Sequence, residues 1–541
     1  MKILLLQPPA RDFYDTELRL LPLGLCSLKA ALMKHIPGVE VEVRDYRQGH
    51  GRRTVELLPE LADLREFYPH PDKSPFGTFH GFYHFGAGFE DIAREVEREK
   101  PDLIGISCLF SAYYKDTRAL AKELKARLGV PVVTGGAHGS SAPASLLKSG
   151  VVDYVIRGEG ERPLVELVKA LGGTGELSKV PNLAFRSGEK IQQNPVEPNY
   201  PLAELPPPDF SDFDPRRYRM GKLPLAPLLA SRGCPVNCGF CSVSSVFGSG
   251  YRTRPVSDIV SEMKNRWEAG YRVFDFEDDN LTLDRDFFTG LCREIIAAFP
   301  EDGPVLQAMN GVSYHGLDEE LLRLMKRAGF THLNLALVSL DEGVSKLAGR
   351  PFDREKFRET VLTGFSLGYR IVAYQILGLP GETLASMTET FAFLARLPVL
   401  MGASPFYLAP GSPMAKEFDF TEADFVRCRL TAMGRDNENF SREDIFTLFV
   451  SARIVNFLKG LPLGGKEAGI EKALGIADGL GGRNALGARL LRRLLDDGLL
   501  HAETPAGEKP IPLFRAELFG EILRKTGRIG TQDGGGIRVY L

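Results

Sequence analysis

The chain has 541 residues, too many for one compact domain, so two or three domains are expected. Its hydrophobic share of 43%, charged share of 25% and formal charge of −3 are those of an ordinary globular protein, and they offer no electrostatic case for binding nucleic acid or an anionic membrane. No apolar run approaches the roughly 18 residues of a membrane span, and seven cysteines, three of them clustered, suit a reducing cytoplasm better than a disulfide framework.

Residues 1–173 alternate strands with helices. Lys2 to Leu6 is a short continuous apolar run, as in a strand buried on both faces, and Gln7-Pro8-Pro9 stops it. That run is also too short for the apolar region of a signal peptide. Leu23 to Met33 reads as a helix and Val39 to Arg44 as a second strand. Leu103 to Ser107 reads as a third strand with a loop running to Ser111, and Thr117 to Leu128 as a helix. Val132 to Thr134 is a fourth strand ending at Gly135-Gly136, and Val152 to Ile156 a fifth ending at Gly158-Glu159-Gly160-Glu161. This order predicts a doubly wound parallel sheet, with ligands off the carboxyl ends of its strands. No GxGxxG opens the first helix, so a nicotinamide cofactor is not indicated.

Residues 57–96 interrupt the pattern with aromatics and histidines, including Tyr68-Pro69-His70-Pro71 and the stretch from Phe76 to Gly86. The segment reads either as a loop over the active site or as an aromatic-anchored surface loop. Glycines between and after His80 and His84 argue against a helical metal pair.

Residues 174–223 read as a linker with a hairpin, Asn182 to Phe185 against Lys190 to Gln193, followed by the stiff Leu205-Pro206-Pro207-Pro208. Residues 224–415 alternate again. Strands are predicted at Pro224 to Ser231, Val273 to Glu277, Leu306 to Asn310, His332 to Leu337 and Ile371 to Leu377. Helices are predicted at Asp258 to Trp267, Asp286 to Ala298, Glu319 to Ala328, Asp353 to Leu367 and Leu384 to Leu397. Six or so such units in series fit a partial TIM-type barrel, with its chemistry at the carboxyl ends of the strands. Residues 416–541 read as mainly helical, clearest at Asp444 to Leu458 and Ala485 to Leu500, with a glycine-rich tail from Arg528 to Leu541. The basic run Arg489 to Leu495 fits a packed amphipathic helix better than a membrane-surface helix.

Cys234, Cys238 and Cys241 stand at CxxxCxxC spacing in the loop after the first strand of the central unit. Thiolates packed this tightly cannot share one face of a helix or strand, but a loop can wrap them around one iron–sulfur cube. Three ligands leave the fourth iron open to a substrate or cofactor. A structural zinc site would need a fourth Cys or His at suitable spacing, and the chain supplies none.

This motif, with Phe240 before the third cysteine, resembles the radical S-adenosylmethionine superfamily. The resemblance implies that S-adenosylmethionine chelates the open iron and yields a 5′-deoxyadenosyl radical on reduction. It places Asp278 and Asp279, with Glu277, at the S-adenosylmethionine ammonium; helix N-capping by Asp279 or Asn280 is the alternative. Gly378 and Gly381 match the glycine-rich stretch near the adenine, Ser339 a ribose or carboxylate contact, and Phe240 either an adenine contact or core packing. Tyr407 to Pro413 is similar to the segment that closes this barrel.

Gln7-Pro8-Pro9, Val133 to Gly136 and Val152 to Glu161 resemble the cobalamin-binding domain that precedes many radical S-adenosylmethionine domains. Ser107, Ser111, Gly135, Gly136, Gly158 and Glu159 would then lie on the cobalamin side. The DxHxxG histidine motif is absent, so no protein histidine is expected on the lower face of cobalt; His138 is either a surface or loop residue or a cobalt contact.

The resemblance implies a cytoplasmic, oxygen-sensitive enzyme with a 4Fe-4S cluster, S-adenosylmethionine and cobalamin. It would transfer a methyl group to an unactivated carbon of a small-molecule or peptide substrate, through a 5′-deoxyadenosyl radical and methylcobalamin. An external flavodoxin or ferredoxin would supply electrons. The alternative is a radical cyclase or ring-rearranging enzyme on the same scaffold, since the His84 to Gly86, Arg429 to Met433 and Ile454 to Phe457 segments resemble the anaerobic cyclase of bacteriochlorophyll synthesis. A methylthiotransferase would need a second cysteine cluster and a basic RNA-binding appendage, and a non-catalytic cobalamin or electron-transfer protein would have no use for an open iron.

Overall fold

A computed structural model describes residues 1–14, 21–197 and 200–539. The first ten strands are β1 (Lys2–Gln7), β2 (Ala10–Asp12), β3 (Glu40–Asp45), β4 (Arg52–Thr54), β5 (Tyr83–Phe85), β6 (Leu103–Ser107), β7 (Val132–Gly135), β8 (Tyr154–Ile156), β9 (Leu183–Ser187) and β10 (Lys190–Gln193). Seven of them form one sheet in the order β10-β9-β8-β7-β6-β1-β3, parallel from β3 to β8. In β1, Ile3 and Leu5 pack into the core under the helices Leu23–His35 and Glu161–Leu171, while Leu4 and Leu6 join the core under Phe89–Glu99 and Tyr114–Leu128. Alternation along one strand therefore fills both layers, which is why β1 reads as continuous apolar sequence. Strand order reverses between β1 and β6, the switch point where such sheets hold ligands.

Two expectations change here. The hairpin β9–β10 extends the sheet, with β9 antiparallel to β8, so it belongs to the first unit and not to a linker. The aromatic segment, read as a cover of the active site or as an aromatic-anchored surface loop, is anchored but with its aromatics Tyr68, Phe76 and Phe82 buried: β5 pairs with β2 and β4, and Tyr68 donates to the Thr431 carbonyl at 2.6 Å. Phe79 stacks on Phe449, and Phe76 meets Phe457 edge to face, at centroid distances of 6.2 and 5.5 Å.

The next strands are β11 (Arg219–Met220), β12 (Leu223–Leu228), β13 (Ser231–Arg232), β14 (Arg252–Thr253), β15 (Val273–Phe276), β16 (Val305–Gln307), β17 (His332–Val338), β18 (Arg370–Leu377) and β19 (Leu400–Pro405). β12, β15 and β16 are parallel neighbours, as are β17, β18 and β19. Bridges Leu306↔Phe330 and Val312↔Leu335 join the two sets into an arc of six parallel strands. The sixth, β19, contains Gly402 and ends at Pro405, and so carries little strand propensity. Gly402 is required there, because a Cβ would lie 2.3 Å from the Tyr374 ring. Asn456 covers its backbone by exchanging bonds with Met401 N and O, both at 2.9 Å.

The C-terminal region holds the helices Arg442–Lys459, Ile470–Leu480, Gly482–Asp497 and Ala516–Thr526. It also contains strands that the sequence did not announce: Glu467–Gly469, Gly536–Arg538 and Arg528–Gly530 in one sheet, and the hairpin His501–Thr504 with Gly507–Pro510. The expected tail is thus paired as far as Arg538, and its last two residues lie outside the described residues. The basic helix is neutralised by ion pairs, Arg489 to Glu503 and Arg492 to Asp478, both at 2.7 Å. No helix among the described residues is long and apolar enough to cross a membrane.

Candidate active site

β12 delivers the chain to a ribbon in which Ser231 pairs with Thr253 and Arg232 with Arg252, closing a loop that holds the three cysteines. Gly233 has φ +84° and its Cβ would fall 2.0 Å from the Gly250 carbonyl, so only glycine enters this loop. Asn237 turns the chain between Cys234 and Cys238 with φ +51°. Gly239 N–H donates to Ala348 O and Met414 N–H donates to Gly239 O, both at 2.8 Å. The loop is therefore pinned from two sides before any ligand binds.

The thiols converge. Burial raises the Cys241 pKa against the lowering from the Val243 N–H, and the charges of Cys238, Asp279 and Cys234 raise it further. Arg350 Nη1 lies 3.6 Å from Cys238 Sγ, a donor toward a thiolate that sequence reading did not single out. Among the described residues no group of three His, Cys, Asp or Glu side chains is drawn together around a single point. Convergent thiols on a prepinned loop fit a polynuclear group.

The acidic residues after β15 divide their work. Asp278 is buried and accepts from Ala230 N at 3.1 Å, Ser231 N at 2.5 Å and the Ser231 hydroxyl. Asp279 accepts from Gly233 N at 3.2 Å. Both carboxylates thus hold the entrance to the cysteine loop, and neither caps a helix: Asp284 caps the following helix through Phe287 N at 3.0 Å. Burial pushes Asp278 up to about 7 and Asp279 to about 6. Glu277 is raised to about 7, by burial first and by Asp275 second, with Asn310 as its opposing hydrogen-bond donor. Of the three acids, Glu277 alone has no backbone N–H bond to the cysteine loop.

The glycine-rich turn after β18 is shaped by Glu382, fully buried, which accepts from Gly378 N at 2.9 Å and Leu379 N at 3.0 Å. Gly378 and Gly381 adopt φ of +85° and +83°. Val338 stands at φ +73° beside a register shift in β17, a strained conformation for a β-branched residue. It packs with Val344 and Leu379, and Phe240 leans on this cluster, so the packing reading of Phe240 is satisfied. Ser339, expected at the ligand, is fully buried and accepts from the Asp341 N–H at 3.3 Å.

On the first sheet, Ser107, Gly135 and Gly158 sit at or just beyond the carboxyl ends of β6, β7 and β8. Gly136 has φ +107° and lies so close to Cys108 that a Cβ would meet its carbonyl at 2.7 Å. Ser111 bonds His138 Nδ1 at 3.0 Å, and Ser145 bonds Nε2 at 2.9 Å. Ser145 donates its own proton to Ala142 O, so it accepts from Nε2–H, leaving Nδ1 to accept from Ser111. His138 is fully buried and hydrogen-bonded at both nitrogens, so it is not a surface residue, and burial lowers its pKa to about 3. Glu159, placed on the cobalamin side from sequence, is buried against Arg252 and Arg232.

What remains accessible at the switch point is apolar: Leu109 and Phe110 expose 44% and 43% of their surface just beyond β6. Large apolar side chains left open there suit a flat ligand. Phe110 meets Tyr113 at a centroid distance of 5.9 Å, and the Tyr113 hydroxyl donates to Asp12 at 2.5 Å. Asp12 and Tyr407 both act on the Tyr14 phenol, which burial pushes up to about 12. Tyr407 in turn feels Cys241, yet keeps 40% of its surface accessible. The carboxyl-end loops of the first sheet touch the segment after the cysteines directly: Ser141 Oγ bonds Ser245 Oγ at 3.1 Å, and Gly158 packs against the Val246 carbonyl.

Residues 228–394 match the Radical SAM superfamily, and residues 80–168 match the B12 binding domain. The chain carries a radical SAM domain and a B12-binding domain. The cofactor set expected from these two domains is a 4Fe-4S cluster, S-adenosylmethionine and cobalamin. The enzyme is 28% identical over 461 residues to cytidylyl-2-hydroxyethylphosphonate methyltransferase of Streptomyces wedmorensis, covering 77% of this chain and 81% of that protein. It is 28% identical over 315 residues to the anaerobic magnesium-protoporphyrin IX monomethyl ester cyclase of Rubrivivax gelatinosus, covering 56% of each. The solved radical S-adenosylmethionine methyltransferase TsrM of Kitasatospora setae, with cobalamin and a [4Fe-4S] cluster bound, matches with a TM-score of 0.59 at 20% identity. That match covers 79% of this chain and 81% of TsrM, and at such identity it is a likeness of fold.

Proposed function

We propose that this enzyme is a cobalamin-dependent radical SAM methyltransferase that alkylates an unactivated carbon of a small-molecule or peptide substrate. The observation that carries the reading is the contact between the two carboxyl-end rims: Ser141, beyond β7, bonds Ser245, four residues after Cys241, at 3.1 Å, beside an open cavity lined by Ser140, Ser145, Ser244 and Gly411. When bound, the cluster with S-adenosylmethionine supplies a 5′-deoxyadenosyl radical, and the corrin supplies a methyl carrier.

The chain's own residues do the rest. Cys234, Cys238 and Cys241 hold the cluster, with Asp278 and Asp279 fixing their loop. Glu277 and Asn310 receive the S-adenosylmethionine ammonium, Gly378 and Gly381 let the adenine approach the backbone, and Phe240 backs it from the apolar cluster. Ser107 and Gly135, at the carboxyl ends of β6 and β7, would lie beside cobalamin. The apolar side chains around the site exclude water from the radical. The enzyme works in the cytoplasm, is inactivated by oxygen, and takes electrons from a flavodoxin or ferredoxin.

The test is anaerobic reconstitution with iron, sulfide and hydroxocobalamin, followed by S-adenosylmethionine and reductant. Bound cobalt with both 5′-deoxyadenosine and S-adenosylhomocysteine supports methyl transfer. Deoxyadenosine without S-adenosylhomocysteine points to the second reading, radical cyclisation or rearrangement, which the cyclase relative favours. No cobalt and no response to S-adenosylmethionine overturns both. A methylthiotransferase is disfavoured because the other four cysteines, Cys26, Cys108, Cys292 and Cys428, are each buried in separate elements.

A further inference from the structure

Arg232 stands two residues before Cys234, yet its guanidinium points away from the cysteines into the first domain. Nη2 lies 2.6 Å from Glu161 Oε1 and Nη1 3.4 Å from Glu159 Oε1, with all three side chains at most 8% exposed. Arg252, its cross-strand partner, reaches Glu159 Oε1 at 2.5 Å. Tyr200 closes the network by donating to Glu161 Oε2 at 2.9 Å, and its carbonyl accepts from Arg252 Nη1, also at 2.9 Å. Two carboxylates thus meet two guanidiniums, desolvated, between the loop that ends β8 and the ribbon that opens the cysteine loop.

The surrounding backbone leaves this joint little slack. Gly158, at φ +69°, sits so near the helix Ser244–Phe247 that a Cβ would meet Val246 O at 3.3 Å. Its N–H donates to Ser140 Oγ at 2.8 Å, and the next residue, Ser141, bonds Ser245 Oγ at 3.1 Å. On the other side, Asp278 and Asp279 hold the backbone at residues 230, 231 and 233. A displacement of the β8 loop is therefore passed to Cys234 through Arg232, because neither end can yield separately.

We propose that Arg232 is a positioning residue that couples the two cofactor sites, so that cluster assembly and cobalamin binding each strengthen the other through the Glu159–Arg232–Glu161 joint. The proposal rests on the assignment of the two domains to cobalamin and cluster, and goes beyond it in making the sites interdependent. Coupling of this kind is reciprocal.

Hydroxocobalamin is titrated by absorbance into the anaerobic full-length chain, once without iron and once with the cluster reconstituted. The wild-type chain is expected to bind it more tightly with the cluster, by about 5- to 150-fold. In Glu161→Gln and Tyr200→Phe that ratio is expected to fall toward one, and the electron paramagnetic resonance spectrum of the reduced cluster, expected to shift on cobalamin binding in the wild type, no longer responds. Tyr200→Phe removes one hydroxyl only, so it decides the matter if Glu161→Gln fails to fold. A ratio of one in the wild type, or an unchanged ratio in a folded variant, overturns the coupling while leaving the functional reading intact. Absence of hydroxocobalamin binding in every form overturns that reading and the coupling with it.

Discussion

The Asp278 carboxylate accepts the Ser231 N–H at 2.5 Å and the Ala230 N–H at 3.1 Å, so an acid after the second barrel strand holds the backbone that leads out of the first. Replacing it by alanine leaves those buried N–H groups and the Ser231 hydroxyl without an acceptor. Asp278→Ala is expected to lose about 2–4 kcal/mol of stability and to retain less iron after desalting. Urea melts of the apo chain and iron assays of the reconstituted one check the two effects separately.

Metal loading separates the cysteines by role. Alanine at Cys234, Cys238 or Cys241 is expected to reduce bound iron to background with the fold kept. Cys292→Ala keeps full iron, since Cys292 is buried in the helix Arg285–Ala298, away from the loop. Iron loss in the Cys292 variant, or full iron in any of the three, contradicts the assignment.

His138 makes stability depend on pH. Burial depresses its pKa to about 3, against about 6.5 in the unfolded chain. Below the unfolded value the unfolded chain takes up a proton that the folded chain refuses. The contribution of His138 is thus complete above about pH 6.5 and is lost as pH falls toward 3, at up to about 1.4 kcal/mol per unit. Buried acids raised by desolvation, such as Asp275 at about 6, act in the opposite sense, so the wild-type curve alone is not diagnostic. The difference between wild type and His138→Gln in urea melts from pH 7 to 5 isolates the histidine, and a pH-independent difference refutes it.

Lys459 is fully buried, which lowers its pKa well below the ordinary lysine value, and its Nζ donates to the carbonyls of Ala395 at 2.8 Å, Leu397 at 2.5 Å and Gly530 at 3.0 Å, with Leu394 at 3.3 Å. It closes the carboxyl end of the helix Leu384–Arg396 and ties the barrel to the C-terminal strands. Lys459→Met keeps the apolar stem but strands these carbonyls, and is expected to cost at least about 3 kcal/mol. A melt within error of wild type rules out this role.

The barrel's missing strand shows why part of the fold was illegible. β19 holds Gly402 and Pro405, and nothing local marks it as a strand; Tyr374 above and Asn456 beside it make it one. The hairpin β9–β10 was visible as a hairpin, yet its attachment to β8 depends on a sheet edge that lies elsewhere in the chain. Roles within the site behaved similarly. Asp278, Ser339 and Glu159 are polar residues next to the right loops, but burial turned each toward protein partners. Arg350 and Arg232 carried no local signal, because an arginine's partner is chosen by what packs around it.

The sequence by itself determined the three-cysteine loop with its open iron and the alternation of strands and helices in both domains, since ligand spacing and hydrophobic period are local properties of the chain; S-adenosylmethionine and cobalamin came from the family resemblance of its motifs. Only the tertiary structure decided which acids hold the cysteine loop, that His138 is buried and hydrogen-bonded at both nitrogens, and that the two domains are joined by a buried ion network. Those outcomes depend on desolvation, and desolvation is set by neighbours distant in sequence.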